Sequence, residues 1–143
     1  MGILSRVLFK SSDGYNPLHD PNSNSENKTF KERKSLVERK VEVETIRNNF
    51  PTKIPIIVEK YKKEKSLPAM DKVKFLVPME LSMAQFTTIV RNRLSLSDRE
   101  TFFMYTPNGN MPALSITVAD LYKQSQDIDG FLYLNYASQE VFG

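Results

Sequence analysis

Residues 72–94, KVKFLVPMELSMAQFTTIVRNRL, contain the clearest fold signal in the chain. The apolar residues of 72–77 predict a strand that ends at Pro78. Ser82 stands three residues before Gln85, the spacing at which a helix N-cap and its third residue satisfy each other's free backbone amides. Apolar residues recur at helical spacing behind this capping box. The segment therefore predicts a strand followed by a helix with one core-facing side.

Three further segments predict strands around this unit. The β-branched run 53–59 precedes it, and Pro55 within that run predicts a point where one edge of the strand is unpaired. Residues 102–105 lead into a turn rich in Pro, Asn and Gly, and residues 131–136 follow the turn residues Asp129-Gly130. The order strand, strand, helix, strand, strand predicts an α+β fold of the ubiquitin-like β-grasp type.

A further helix is predicted before the first of these strands in the chain. Ser35 and Glu38 form a second capping box, and apolar residues follow at helical spacing until Pro51. A β-grasp sheet wraps one face around its central helix, which leaves the other face for additional N-terminal helices.

Composition excludes several classes of catalyst. The 143 residues include no cysteine and a single histidine, His19, in a polar stretch. Thiolate metal sites, a cysteine nucleophile and a Ser-His-Asp triad are therefore excluded, and no glycine-rich phosphate loop is present. The carboxylates of 98–100 and 127–129 lie in polar turns, so we expect neither an enzyme nor a metal site.

The net charge of +3 hides an asymmetry along the chain. Residues 30–74 contain 13 Lys and Arg against 7 Asp and Glu, whereas residues 75–143 contain 4 against 7. The basic half can attract acidic partners. Because zinc-finger spacing, an aromatic RNA-binding pattern and a long basic helix are all absent, no specific nucleic-acid partner is expected.

Six segments resemble the ubiquitin-like autophagy modifiers, in the light chain three branch rather than the GABARAP branch. The match runs through residues 30–33, 51–55, 67–68 with 71–72, 74–78, 129–133 and 136–140 with 142–143. The resemblance implies a β-grasp domain over residues 29–143 with two additional N-terminal helices. Residues 11–28 are rich in Ser, Asn, Asp and Pro, and residues 1–28 are expected to be a flexible tail with an apolar tip.

The resemblance also implies conjugation of Gly143 to phosphatidylethanolamine on autophagosomal membranes. A glycine without a Cβ lets a thin tail enter a narrow active site, and the residues after 136 show no helical or strand period. Activating and conjugating enzymes would supply the nucleophilic cysteine, and a processing protease of the family is a further expected partner. The protein is expected in the cytoplasm and, after lipidation, on the autophagosome membrane. The alternative is a ubiquitin-like adaptor of cytoskeletal or trafficking partners that is never conjugated.

Receptor capture is expected at the edge formed by the strand 72–77, by addition of an extended aromatic-x-x-aliphatic peptide. By resemblance, the aromatic pocket comprises Glu42, Ile46, Pro55, Ile57, Lys74, Leu76 and Phe131. The aliphatic pocket comprises Phe75, Val77, Pro78, Phe86, Ile89 and Arg93. Lys72 and Lys74 would meet acidic residues that precede the motif. Core packing is the competing interpretation for the apolar members. If the pocket assignment holds, Leu76→Ala and Lys74→Ala are each expected to weaken receptor binding and to leave the fold intact.

Two further surfaces are predicted. A basic patch of Lys31, Arg33, Lys34, Arg39 and Lys40 is either a solvated helix face or a contact for tubulin, acidic lipid or conjugation enzymes. In the tail, residues 15–18 have the aromatic-x-x-aliphatic form and could dock in a pocket, while apolar residues within 3–9 at near-helical spacing could lie on a membrane. An idle linker is the third interpretation of the tail.

Overall fold

The computed structural model describes the backbone of residues 8–10 and all of residues 28–138. The elements in chain order are β1 (Leu8–Lys10), α1 (Phe30–Arg33), α2 (Leu36–Asn49), β2 (Lys53–Lys60), β3 (Lys74–Pro78), α3 (Met83–Arg93), β4 (Phe103–Tyr105), α4 (Val118–Ser125) and β5 (Leu132–Ala137).

The described strands form one mixed sheet in the order β1-β3-β2-β5-β4. Neighbouring strands are antiparallel except β2 and β5, which run parallel. A parallel pair needs a long connection, and α3 lies within it. The predicted α+β order is confirmed, with α1 and α2 as the two additional N-terminal helices.

Helices cover both faces of the sheet. Alternate residues of β2 separate the two sides: Ile56 and Val58 belong to the main core with α3, whereas Ile57 belongs to a second core with α1 and α2. Phe75 and Leu76 divide in the same way on β3. Because successive side chains point to opposite faces and both faces are covered, these strands are apolar without interruption over residues 54–58 and 75–78.

Both predicted capping boxes are present. Ser35 and Ser82 accept hydrogen bonds from the backbone N–H groups of Glu38 and Gln85, whose side chains accept the N-cap N–H in return. Sequence analysis did not predict α4, although its N-cap Thr117 and its buried residues at helical spacing were available as signals.

Pro55 occupies the position predicted from its missing donor. It is paired with Leu76 of β3, while the pairing of β2 with β5 begins one residue later, at Ile56. The strand is therefore unpaired on one side at Pro55, as expected, and no ladder donor is lost.

Gly130 sets the entry into β5. It adopts φ +95°, and its N–H donates to the carbonyl of Asp127 at 2.9 Å. A Cβ at this position would lie 2.6 Å from Cγ1 of Val43 on α2. Both the backbone conformation and the close helix approach therefore require glycine here.

We expect Gly130→Ala to lower the free energy of unfolding by about 2 to 4 kcal/mol, through positive-φ strain and the clash with Val43. Gly109→Ala is the matched control, because Gly109 also has positive φ, +90°, in the turn after β4. Urea titration of both variants isolates the clash. Equal losses in the two variants would contradict the close approach to Val43.

Candidate functional site

The outer backbone edge of β3 is defined by its pairing with β2. The N–H of Val58 donates to the carbonyl of Val73 at 2.8 Å, so Val58 and Val73 form a hydrogen-bonded pair. Such pairs alternate with non-hydrogen-bonded pairs along an antiparallel ladder, so Ile56 with Phe75 is the next hydrogen-bonded pair. The N–H and C=O groups of Lys74 and Leu76 consequently point away from β2. These are the groups that an added strand would pair with.

The residues of the expected aromatic pocket come together on the α2 side of this edge. Ile46, Ile57, Leu76 and Phe131 form one buried cluster, and Pro55 and Glu42 are also buried. Phe30 of α1 also belongs to this cluster, although the sequence analysis did not include it. The ring of Phe30 lies edge-on to the ring of Phe131, with the two ring centroids 5.2 Å apart. Its position in a segment of family resemblance was the available signal.

The residues of the expected aliphatic pocket lie on the opposite, α3 side. Phe75, Val77, Phe86 and Ile89 are all buried in the main core, and the rings of Phe75 and Phe86 meet edge-on at 5.5 Å. Pro78 is buried at the end of β3. Arg93 lies at the α3 terminus and pairs with Asp71 at 2.6 Å. Core packing is thus a role of most members of both sets.

The burial of Leu76 changes one expectation from the sequence. Leu76 is fully buried under α1 and α2, so removing its side chain opens a cavity. Leu76→Ala is therefore expected to destabilise the protein by about 2 to 5 kcal/mol and not to leave the fold intact. The reason is that the sheet has no solvated face on which an exposed leucine could lie.

A buried ion pair lies at the centre of the α2 side. Lys74 is only 2% exposed, and its ammonium group contacts the Glu42 carboxylate, which also accepts a hydrogen bond from Lys34 Nζ at 3.0 Å. The Lys74 ammonium lies 5.4 Å from the ring centroid of Phe30. Of the two lysines expected to meet acidic flanks, Lys72 is exposed and Lys74 is buried.

The five residues of the predicted basic patch are used in different ways. Lys31 pairs with Asp127 at 2.5 Å, Lys34 with Glu42, and Arg39 with Asp129 at 2.6 Å. Arg33 and Lys40 are exposed. The sequence left open whether these five charges form a solvated helix face or a partner contact, and in the structure three of them have acidic partners within the domain.

Asp129 forms a junction that sequence analysis placed in an ordinary polar turn. Its side chain is fully buried and accepts hydrogen bonds from Arg39, from the Tyr133 hydroxyl at 2.5 Å and from the Phe131 N–H at 2.8 Å. Burial, followed by the hydrogen bond to Asp129, raises the pKa of Tyr133. The junction fixes the N-terminal end of β5 against α2.

The end of β5 is held by the loop that follows β2. Glu64 accepts hydrogen bonds from the N–H and hydroxyl of Ser138 at 2.7 and 2.8 Å, and from the N–H groups of Ser66 and Leu67. Partial burial raises the pKa of Glu64, but these donors outweigh it and lower that pKa to about 2. Gly143 and the tail residues 15–18 lie outside the described residues.

The described part of the chain contains neither a metal cluster nor a membrane span. No group of three His, Cys, Asp or Glu side chains in residues 28–138 is placed to hold a metal ion. No described helix is both long enough and apolar enough to cross a bilayer.

The mixed sheet around α3, the N-terminal helices and the outer edge of β3 together define a ubiquitin-like β-grasp protein. The family described as "Autophagy protein Atg8 ubiquitin like" matches residues 38–143. Human "Microtubule-associated protein 1 light chain 3 gamma" is 50% identical over 114 residues, covering 80% of this chain and 78% of that protein. "Protein lgg-2" of Caenorhabditis elegans is 44% identical over 115 residues, covering 80% and 88%. "Autophagy-related protein 8" of Mycosarcoma maydis is 36% identical over 114 residues, covering 80% and 95%.

The chain therefore belongs to the Atg8 family of ubiquitin-like autophagy proteins, in its light chain 3 branch. The family and the fold class predicted from the sequence are both confirmed.

We expect Glu42→Gln to destabilise the protein by about 2 to 4 kcal/mol, because the buried Lys74 ammonium then loses its carboxylate partner. The control is Glu44→Gln on the same helix, where the side chain is exposed and a change within about 0.5 kcal/mol is expected. Urea unfolding at pH 7 measures both. Similar small effects would contradict the importance of the buried pair.

Glu64 gives a pH-dependent prediction. Its folded pKa lies below the unfolded value, so its stabilisation is present above about pH 4.5 and is lost as the pH falls toward 2. Glu64→Gln should therefore destabilise the protein at pH 7, and the difference from wild type should shrink by pH 3. Amide exchange at Ser138 should accelerate in the variant at pH 7. A difference that stays constant with pH would contradict the charged role of Glu64.

Proposed function

We propose that the protein is a ubiquitin-like modifier conjugated through Gly143 to phosphatidylethanolamine. The observation that carries this proposal is the family match, which extends through residue 143. The described chain ends at Ser138, directly after β5, so the remaining five residues follow a strand that is anchored at both ends. In this conjugation reaction the protein supplies the acyl group, and separate enzymes supply the catalysis.

The conjugation step joins the Gly143 carbonyl carbon to the lipid amine as an amide. ATP-dependent activation first converts the carboxylate to a thioester on an enzyme cysteine, and the lipid amine then displaces that thiolate. This chain contains no cysteine, so it is a substrate in each step. A processing protease acts beforehand where residues follow the glycine.

Receptor capture is the second part of the proposed function. In an extended peptide, residues three apart point to opposite faces. An aromatic-x-x-aliphatic peptide added to β3 would direct its aromatic residue to one side of the sheet and its aliphatic residue to the other. The α2-side and α3-side residue sets match this requirement in position. Exposed Lys72 is available for an acidic residue beside the motif.

The conjugated protein would work at the autophagosome membrane and the free protein in the cytoplasm. Tubulin is a further candidate partner, because a relative is named microtubule-associated. On this chain the exposed Arg33 and Lys40 are the residues of the predicted basic patch available for acidic tubulin segments. The competing function is an adaptor that uses the same docking edge and is never conjugated.

Reconstitution tests conjugation directly. The protein is incubated with the family's activating and conjugating enzymes, ATP and liposomes containing phosphatidylethanolamine. We expect a lipidated species with altered gel mobility, confirmed by mass spectrometry. It should be absent when Gly143 is deleted and when phosphatidylcholine replaces the amine lipid. An intact protein that gives no lipidated species would reject the modifier and favour the adaptor.

A further inference from the structure

The outer edge of β3 is paired with the chain's own N-terminal segment. Residues Leu8–Lys10 form β1, antiparallel to β3, with Leu8 opposite Leu76, Phe9 opposite Phe75 and Lys10 opposite Lys74. This is the edge at which a receptor peptide would add. Sequence analysis considered tail docking through residues 15–18 and a helical form for residues 3–9, whereas the structure places residues 8–10 on this edge as a strand.

The register shows which backbone groups β1 uses. Lys74 and Leu76 direct their N–H and C=O groups away from β2, so Leu8 with Leu76 and Lys10 with Lys74 are the hydrogen-bonded pairs of the β1 ladder. Phe9 is opposite Phe75, whose polar backbone groups face β2. The backbone N–H of Phe9 therefore points away from the ladder, and only Leu8 and Lys10 donate to it.

We infer that β1 is a built-in competitor that occupies the receptor-docking edge of β3 and must leave before a receptor strand can pair there. The consequence for receptors rests on the proposed function, whereas the pairing itself does not. A strand has two backbone edges, and each edge can pair with only one other strand. The inner edge of β3 is paired with β2, which leaves only its outer edge. β1 and a receptor peptide therefore cannot occupy the edge together.

Strand length and connection make this contact suitable for regulation. β1 has three residues, too few for a stable strand pair without other support, so its opening costs far less than global unfolding. The same chain continues into α1, which keeps the segment near the edge. Covalent connection gives such a segment an effective concentration in the millimolar range, enough to compete with a receptor peptide in solution.

A proline substitution at alternate positions tests the pairing in the full-length protein. Leu8→Pro removes a ladder donor, whereas Phe9→Pro removes an N–H that points outward and is the matched control. We expect amide exchange at Leu76 to accelerate by about tenfold or more in Leu8→Pro and to stay near the wild-type rate in Phe9→Pro. Equal exchange in both variants would overturn the assigned pairing.

The same variants test competition. An acidic peptide with an aromatic-x-x-aliphatic core, titrated by calorimetry, should bind Leu8→Pro about threefold or more tightly than wild type, while Phe9→Pro matches wild type. Faster exchange with unchanged peptide affinity would overturn the competition. If no form binds the peptide, the proposed receptor function fails, and the exchange data still decide whether β1 pairs with β3.

Dilution distinguishes this arrangement from pairing between two copies. Protection of the Leu76 amide should be the same at 10-fold different protein concentrations, because the segment belongs to the same chain. Protection that falls on dilution would overturn the intramolecular assignment and indicate strand exchange between copies.

Discussion

Burial of the sheet on both faces is the constraint on which the rest of this structure depends. With α3 on one side and α1 and α2 on the other, β2 and β3 have no solvated face, so even Lys74 is enclosed and meets the carboxylate of Glu42. A partner strand therefore cannot lie across β2 and β3 and can pair only along a backbone edge, such as the outer edge of β3. The same enclosure gives that edge two sides, each backed by its own apolar cluster.

Local signals allowed much of this fold to be predicted. The capping boxes at Ser35 and Ser82 mark helix starts because the bonds involved lie within three residues, and Pro55 marks a missing neighbour because proline lacks a donor. Burial of Leu76 was harder to predict. Alternation predicts which residues share a face, and the N-terminal helices were expected on that face, but the sequence does not tell how completely those helices cover an individual residue.

Contacts between residues far apart in the chain explain which features of the site could not be predicted from the sequence. Lys31 and Asp127 are separated by 96 residues, Arg39 and Asp129 by 90, and Glu64 and Ser138 by 74. A count of basic residues cannot distinguish a charge that faces solvent from one that has such a partner. The surface available to acidic molecules is consequently smaller than composition indicates, and two of the cations, Lys31 and Arg39, instead connect the N-terminal helices to the turn before β5.

The parallel pairing of β5 with β2 determines how the domain responds to tension. A pull at the C-terminal end acts along β5, whose register with β2 runs from Leu132 opposite Ile56 to Tyr136 opposite Lys60. Such a load shears several hydrogen bonds at once, whereas a sideways pull would open them one after another. The Glu64 bonds to Ser138 and the Tyr136 hydroxyl bond to Pro68 lie first along the loaded path. The pairing of β5 and these two contacts are thus arranged to resist a force applied at the C-terminal end of that strand.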